Sequence, residues 1–230
     1  MIRRVFDIYV EEAPVLMPAA AVVFVFTGII SAVLLAAAPG FALVSLLIIL
    51  VATQLFTGMV VQLVADVRDG RRDASVGQLL QAVMPVLGQL LAVALVAGLG
   101  VVVGFILIVV PGLILLTVWS VAAPVVVLER PPGLQALARS RELVRGNGWQ
   151  VFGVIFVLVI LVTIAAGALE LAAESAGTGA GIVVRVIVGV LTAPLAALAA
   201  AVLYFELRGA ATPQPAESGP AEDQPAAGGQ

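Results

Sequence analysis

Three chemically versatile side chains are missing from this chain of 230 residues, which has no cysteine, no histidine and no lysine. Their absence excludes thiol nucleophiles, disulfides, imidazole bases, Schiff-base lysines and metal sites built on thiolate or imidazole ligands. Charge is also scarce, at 11% of residues, against about 25% in soluble domains. All eleven basic residues are arginine, a bias that favours a GC-rich, bacterial coding sequence.

Hydrophobic residues take the place of the missing charge. They make up 62% of the chain, whereas soluble domains are roughly 45–50% apolar, and the mean hydropathy is +1.20. The net charge of −3 comes from Glu217, Glu222 and Asp223, because residues 1–208 hold equal numbers of basic and acidic side chains. An integral membrane protein is therefore predicted, with no nucleic-acid partner.

Long charge-free stretches predict where the chain crosses a bilayer, since a helix needs about 20 apolar residues to span the core. Charge is absent from 13–65, 74–128, 146–169 and 186–205. Pro-Gly turns at Pro39 and Pro111 divide the two longest stretches. An all-α fold with six transmembrane helices is predicted, with spans near 15–38, 41–65, 86–109, 112–129, 149–171 and 181–206. Pro124 and Pro194 are expected to kink the fourth and sixth spans.

The arginines lie almost entirely on one side of these spans. Ten of the eleven flank the side that holds both termini, and only Arg185 lies on the other. The positive-inside rule places the arginine-rich side and both termini in the cytoplasm. Residues 209–230 are rich in Ala, Pro, Gly and acids and are predicted to form a disordered acidic tail after the membrane domain, 1–208.

A short amphipathic segment precedes each odd-numbered span, and each is predicted to be a cytoplasmic surface helix. The three segments lie near 2–13, 75–84 and 133–146. The third has an apolar arc made of Ala136, Leu137, Ser140, Leu143 and Val144. The order helix, span, span thus occurs three times. Either a threefold internal repeat or ordinary surface segments between hairpins explain this order.

Few polar side chains lie within the predicted spans, and no carboxylate lies near a midplane, which argues against a proton or sodium relay. Gln54, Gln89 and Ser120 are interpreted either as hydrogen-bonding groups between helices or as the lining of a polar solute path. Glu170 and Arg185 lie near the outer ends of the last two spans. They are predicted either to form a structural ion pair or to reach the interface separately.

Glycines in the third span predict a close helix contact. Gly100 and Gly104 form a Gly-xxx-Gly pair, with Gly98 nearby, and such small residues let helix backbones approach closely. Packing within the monomer and dimerisation both explain this pattern.

The loop Asp66-Val67-Arg68-Asp69-Gly70 resembles the opening of the CDP-alcohol phosphotransferase signature. In that family an Ala-Arg pair follows, then a Gly and two further aspartates. Here Asp73-Ala74 replaces the pair, and the next 55 residues, up to Glu129, contain no carboxylate. A two-metal carboxylate site cannot be assembled locally, so no metal or other cofactor is expected.

A second resemblance covers the run from Pro111 to Gly153. The matching residues are Pro111-Gly112-Leu113-Ile114-Leu115-Leu116, Trp119, Ala123-Pro124-Val125-Val126-Val127-Leu128-Glu129, Arg139-Ser140-Arg141-Glu142-Leu143-Val144-Arg145-Gly146-Asn147 and Trp149 to Gly153. They resemble the membrane domain attached to some bacterial glycerophosphoryl diester phosphodiesterases, and related six-helix membrane proteins of uncharacterised function. That family often has aromatics at the positions of Arg141 and Gly148. With no histidine and no soluble catalytic domain in this sequence, the resemblance implies a membrane module and not phosphodiester hydrolysis.

The most basic of the amphipathic segments is the expected functional surface. Anionic lipid head groups attract basic side chains, and a tryptophan fixes depth at the interface. The expected lipid-binding residues are Arg139, Arg141, Arg145 and Trp149. We expect a non-enzymatic protein that organises or senses lipid or assists a membrane partner. The alternatives are a transporter or channel for a small or amphiphilic solute, and an enzyme that acts on lipid head groups. The sequence is compatible both with a monomer and with a homo-oligomer.

Overall fold

Helices account for about nine-tenths of the residues that the computed structural model describes, which are 5, 9–71, 75–174 and 178–211. No strand occurs within these ranges. The helices longer than one turn are α1 (Ala13–Ala37), α2 (Ala42–Arg68), α3 (Val76–Val83), α4 (Leu87–Leu107), α5 (Val109–Val118), α6 (Ala122–Glu129), α7 (Gln135–Val144), α8 (Gly148–Glu174) and α9 (Thr178–Ala211). Short 3-10 turns at Pro39–Phe41 and Met84–Val86 precede α2 and α4.

Six segments are long and apolar enough to cross a membrane. They are Leu16–Leu34, Ala42–Arg68, Val76–Leu107, Val109–Glu129, Gly148–Leu169 and Ile187–Ala210. The prediction of an all-helical chain with six membrane-length helices is confirmed. Residues 212–230 of the predicted tail, and the side chains of Glu170 and Arg185, lie outside the described part of the structure, so the predicted ion pair stays a prediction.

The long helices pack as three hairpins, α1 with α2, α4 with α5 and α8 with α9, and α9 also packs along α1 and α2. Buried apolar residues concentrate in 56–64, 121–127, 136–144 and 197–207. Exposed apolar side chains surround the hairpin turns instead, as at Leu43, Ile106 and Leu171. Exposed apolar surface on this scale marks contact with a membrane or with a protein partner.

The fourth membrane-length helix is not continuous. It breaks at Trp119–Val121 between α5 and α6. Pro124 lies in the first turn of α6 and has no N–H to donate to the carbonyl four residues earlier, so a continuous helix would be interrupted there. The chain then turns through Arg130, which has a positive φ of 49°, and α7 returns against α6 and α5.

The predicted turn at Pro111-Gly112 needs correction, because the chain turns earlier, at Ile108. That residue is extended, with φ −161° and ψ 146°. Pro111 instead lies in the first turn of α5, where a missing N–H removes no hydrogen bond within the helix. Pro194 lies inside α9, as predicted.

The predicted amphipathic segments form helices where they are described. Leu79 and Val83 of α3 are buried, although Val76 is exposed. Ser75 and Gln78 form a capping box at the start of that helix. Residues 9–11 of the first segment are helical, and the Tyr9 hydroxyl donates to the Leu191 carbonyl at 3.3 Å.

Candidate functional site

A network of ion pairs and hydrogen bonds joins α6, α7 and α9, and we call it the Glu129 network. The Glu129 carboxylate accepts from the Tyr204 hydroxyl and from Arg139 Nε, both at 2.9 Å. Arg139 Nη1 also donates to Glu142 at 3.2 Å, and Arg208 Nη1 donates to the Tyr204 hydroxyl at 3.3 Å. Tyr204 is fully buried, so its hydroxyl requires such partners.

Arg139 is therefore engaged inside the protein. Hydrogen bonds from its guanidinium to Glu129 and Glu142 raise the pKa of Arg139 above its usual value. The Glu129 side chain is only 23% exposed, and a poorly hydrated carboxylate needs a cation beside it. The structure thus assigns Arg139 a partner that sequence reasoning did not foresee.

Ser140 holds α7 against the break in the fourth segment. Its side chain is fully buried, and its hydroxyl donates to the Val118 carbonyl at 2.7 Å. Val118 ends α5, so its carbonyl has lost the helical partner that it would otherwise accept from. A single serine in the apolar arc of α7 thus donates a hydrogen bond to a carbonyl at the end of α5.

Two further arginines of the third amphipathic segment lack the ion pairs that Arg139 has. Arg141 and Arg145 are both exposed, and neither forms an ion pair or side-chain hydrogen bond with any described residue. Arg145 caps the carboxyl end of α7, with its N–H bonded to the Arg141 carbonyl. Their four-residue spacing puts the two side chains on one side of the helix.

Trp149 lies just beyond, at the start of α8. Its side chain is 86% exposed. The indole packs edge-on to Phe152 with ring centroids 5.8 Å apart, and Phe152 stacks on Phe156 at 5.5 Å. A row of aromatic rings therefore follows directly after the two free arginines.

An apolar groove of about 430 Å³ lies between α5, the end of α7 and the start of α8. It is lined by Val110, Leu113, Ile114, Thr117, Val118, Val144, Gly148, Trp149 and Phe152. The Thr117 hydroxyl already donates to the Leu113 carbonyl at 2.8 Å. The groove therefore offers hydrocarbon surface.

A family model described as a domain of unknown function, DUF8558, matches residues 74–207, more than half of the chain. The chain belongs to the DUF8558 family. Comparisons with curated proteins and with solved structures found no match. The resemblance to the phosphodiesterase membrane domain is untested by these comparisons and stays a prediction.

The DUF8558 match covers most of the site described above. It includes α3 to α8, nearly all of α9, both free arginines, Trp149 and the apolar groove. Of the Glu129 network only Arg208 lies outside it. The α1–α2 hairpin precedes the match.

The three residues of the predicted polar path each donate to a backbone carbonyl. Gln89, within the DUF8558 match, bonds the carbonyls of Pro131 and, at 2.9 Å, Gly133. Ser120 bonds the Thr117 carbonyl at 2.8 Å. Gln54, outside the match, makes a long hydrogen bond of 3.5 Å to the Leu90 carbonyl, beside Gln89. The Gln54 and Gln89 bonds join separate elements, whereas the Ser120 bond is local to the end of α5. The two interpretations of these residues, hydrogen bonding between helices and a polar solute path, both stay predictions.

The aspartate-rich loop lies beside a polar cleft of about 630 Å³ between α2 and α3. Asp66 accepts from Arg71 Nη2 at 3.0 Å and from Gln62 Nε2 at 3.3 Å, and Arg71 also pairs with Asp69 at 3.4 Å. Among the described residues, no group of three or more acidic side chains could hold a metal ion. The aspartates here are bound to neighbouring side chains.

The Glu129 network was not predicted from the sequence. Tyr204 and Glu129 are 75 residues apart, and each is a single polar residue at the end of an apolar segment. A signal was present only in the four-residue spacing of Tyr204 and Arg208, which places both on one face of a helix.

Proposed function

We propose that this DUF8558 protein is a multi-pass membrane protein whose Arg141 and Arg145 bind the phosphate of an anionic lipid, without catalysing a reaction. Through this contact it would organise or sense lipid, or assist a membrane partner. Guanidinium groups match phosphate in a planar, bidentate geometry that lysine lacks. A membrane surface that carries anionic lipid also attracts each basic side chain by about 1 kcal/mol.

The observation that carries this proposal is the contrast among the arginines of α7. Arg139 is held by two carboxylates, whereas Arg141 and Arg145 are exposed and without partners among the described residues. Trp149 supports the proposal, because an exposed indole beside basic residues is typical of a membrane–water interface.

The proposed orientation follows from the positions of the arginines in the chain. Ten of eleven lie on the side that holds both termini, which the positive-inside rule assigns to the cytoplasm. The lipids that meet this side are those of the cytoplasmic leaflet, where anionic head groups are concentrated.

The test is lipid binding to the purified protein by native mass spectrometry. Arg141→Gln with Arg145→Gln is expected to reduce bound phosphatidylglycerol roughly 30-fold, since two contacts of about 1 kcal/mol are lost. Neutral phosphatidylcholine should bind equally to the variant and to the unmodified protein.

A matched control removes the same charge elsewhere. Arg71 pairs with two aspartates, and Arg130 donates to the Ala82 carbonyl. Arg71→Gln with Arg130→Gln should therefore leave phosphatidylglycerol binding within about twofold. Equal losses in the two double variants would mean that net charge alone attracts the lipid, and the proposal would then be wrong.

A further inference from the structure

We infer that the apolar groove between α5, α7 and α8 holds one acyl chain of a phospholipid, so that the site binds a whole lipid molecule. This inference rests on the proposed function, because it assigns the lipid's phosphate to Arg141 and Arg145. It commits to a long-chain anionic phospholipid as the occupant.

The lining of the groove matches hydrocarbon. Eight of its nine lining residues are apolar, and the ninth, Thr117, has its hydroxyl bonded to a carbonyl of its own helix. A polar ligand would leave its own donors and acceptors unsatisfied in such surroundings, at a free-energy cost that an acyl chain avoids.

The groove also has fixed walls. Ser140 ties α7 to the end of α5 through the Val118 carbonyl. On the other side of α5, Gly104 of α4 lies so close to Gly112 that an added Cβ would be 2.9 Å from the Gly112 Cα. Because α5 is held from both sides, binding requires little ordering of the protein, and a preformed site binds more tightly than one that must be assembled.

The groove and the free arginines are adjacent in the structure. Val144 lines the groove, and the exposed Arg145 follows it directly in the chain. Arg141 lies three residues before Val144, on the same side of α7 by helical spacing. A single lipid can thus place its phosphate at the arginines and one chain in the groove. The charge of the arginines favours such a lipid over an apolar protein helix, which has no phosphate to pair with them.

Gly148 offers a direct test. A Cβ at this position would meet no atom within 4 Å, and the residue lines the groove. Gly148→Leu therefore adds a side chain beside the groove without a backbone clash. Gly167→Leu is the matched control, since its Cβ also meets open space and it lies on α8 fifteen residues beyond Phe152, the last residue that lines the groove.

Binding is measured by native mass spectrometry with two phosphatidylglycerols, one with 16-carbon chains and one with six-carbon chains. Gly148→Leu is expected to reduce long-chain binding about tenfold, because the chain loses its apolar contact. Short-chain binding should stay within about twofold, since the head group dominates it. Gly167→Leu should leave both unchanged. Equal losses in the two glycine variants, or full long-chain binding by Gly148→Leu, would overturn the inference.

The head-group proposal fails by a different result. If Arg141→Gln with Arg145→Gln leaves short-chain binding intact, the arginines do not bind the phosphate, whatever the glycine variants do. If that double variant loses short-chain binding while Gly148→Leu keeps long-chain binding, the arginine site stands and the groove assignment is wrong.

Trp149 provides a second readout of the groove. The chain has two tryptophans, so Trp119→Phe leaves Trp149 as the sole indole. In bilayers of neutral lipid, a small fraction of phosphatidylglycerol with brominated chains should quench Trp149 more than the same fraction of brominated phosphatidylcholine. Gly148→Leu should remove this difference. Equal quenching by both lipids in the Trp119→Phe protein would overturn the inference.

Discussion

Neighbouring arginines of one helix have different surroundings, and these surroundings separate a structural role from the proposed lipid-binding role. Arg139 neutralises the poorly exposed carboxylate of Glu129, which in turn accepts from the buried Tyr204 hydroxyl. Removing Arg139 leaves that carboxylate with the Tyr204 hydroxyl but without its paired cation, and the cost of an uncompensated, poorly hydrated charge exceeds the worth of the pair itself. Arg141, two residues later, has no such partner among the described residues.

Arg139→Gln is therefore expected to lower the free energy of unfolding by about 1–2 kcal/mol, because charge-assisted hydrogen bonds are lost. Arg141→Gln, the control on the same helix, should change it by less than about 0.5 kcal/mol. Thermal unfolding in detergent measures both. A stability loss for Arg141→Gln as large as that for Arg139→Gln would show that the two side chains are not distinguished in this way.

At the scale of elements, the close contact between α4 and α5 depends on glycine. Gly100 lies against the Trp119 ring, and Gly104 lies against the backbone of Gly112. Gly98 faces open space. The Gly-xxx-Gly pair predicted from the sequence is thus used inside the monomer, where small residues allow helix backbones to approach.

Gly104→Ala is expected to destabilise the protein by about 1–3 kcal/mol, since its methyl group would meet backbone atoms that cannot move aside easily. Gly98→Ala should leave stability unchanged or raise it by up to about 1 kcal/mol, because alanine is the better helix former. The two variants differ only in position. Thermal unfolding in detergent measures the stability of both variants. Equal losses of stability in Gly104→Ala and Gly98→Ala would contradict the close contact described at Gly104.

At the scale of the whole molecule, the parts that the sequence could predict are those governed by local pattern. Hydropathy alone predicted six membrane-length helices, and helical spacing predicted which face of α7 is buried, including Ser140. Pro124 predicted a kink in the fourth span, and the structure has a break there, at Trp119–Val121. The Glu129 network and the apolar groove were not predicted. Each of these depends on contacts between residues far apart in the chain, such as Glu129 and Tyr204, and no local pattern contains that information.

The positions of the arginines predict a topology in the membrane that can be tested by labelling. Because the native chain has no cysteine, single cysteines can be introduced without background. Gln81 and Pro132 are exposed between hairpins, and Gly40 is exposed at the turn of the first hairpin. If the arginine-rich side faces the cytoplasm, cysteines at Gln81 and Pro132 should react with a membrane-impermeant thiol reagent only after the inner face is opened.

A cysteine at Gly40 should react in intact cells, because this turn connects the first two spans on the opposite side. A Cβ there meets no atom within 4 Å, so the substitution itself should not disturb the hairpin. The result at Gln81 also decides whether α3 lies within the membrane, since α3 and α4 together form one continuous apolar stretch. Labelling of a cysteine at Gln81 from the inner face would place α3 at the membrane surface, as its exposed glutamines suggest. Labelling of a cysteine at Pro132 in intact cells would instead reverse the proposed orientation. The proposed lipid would then come from the outer leaflet and not from the cytoplasmic one.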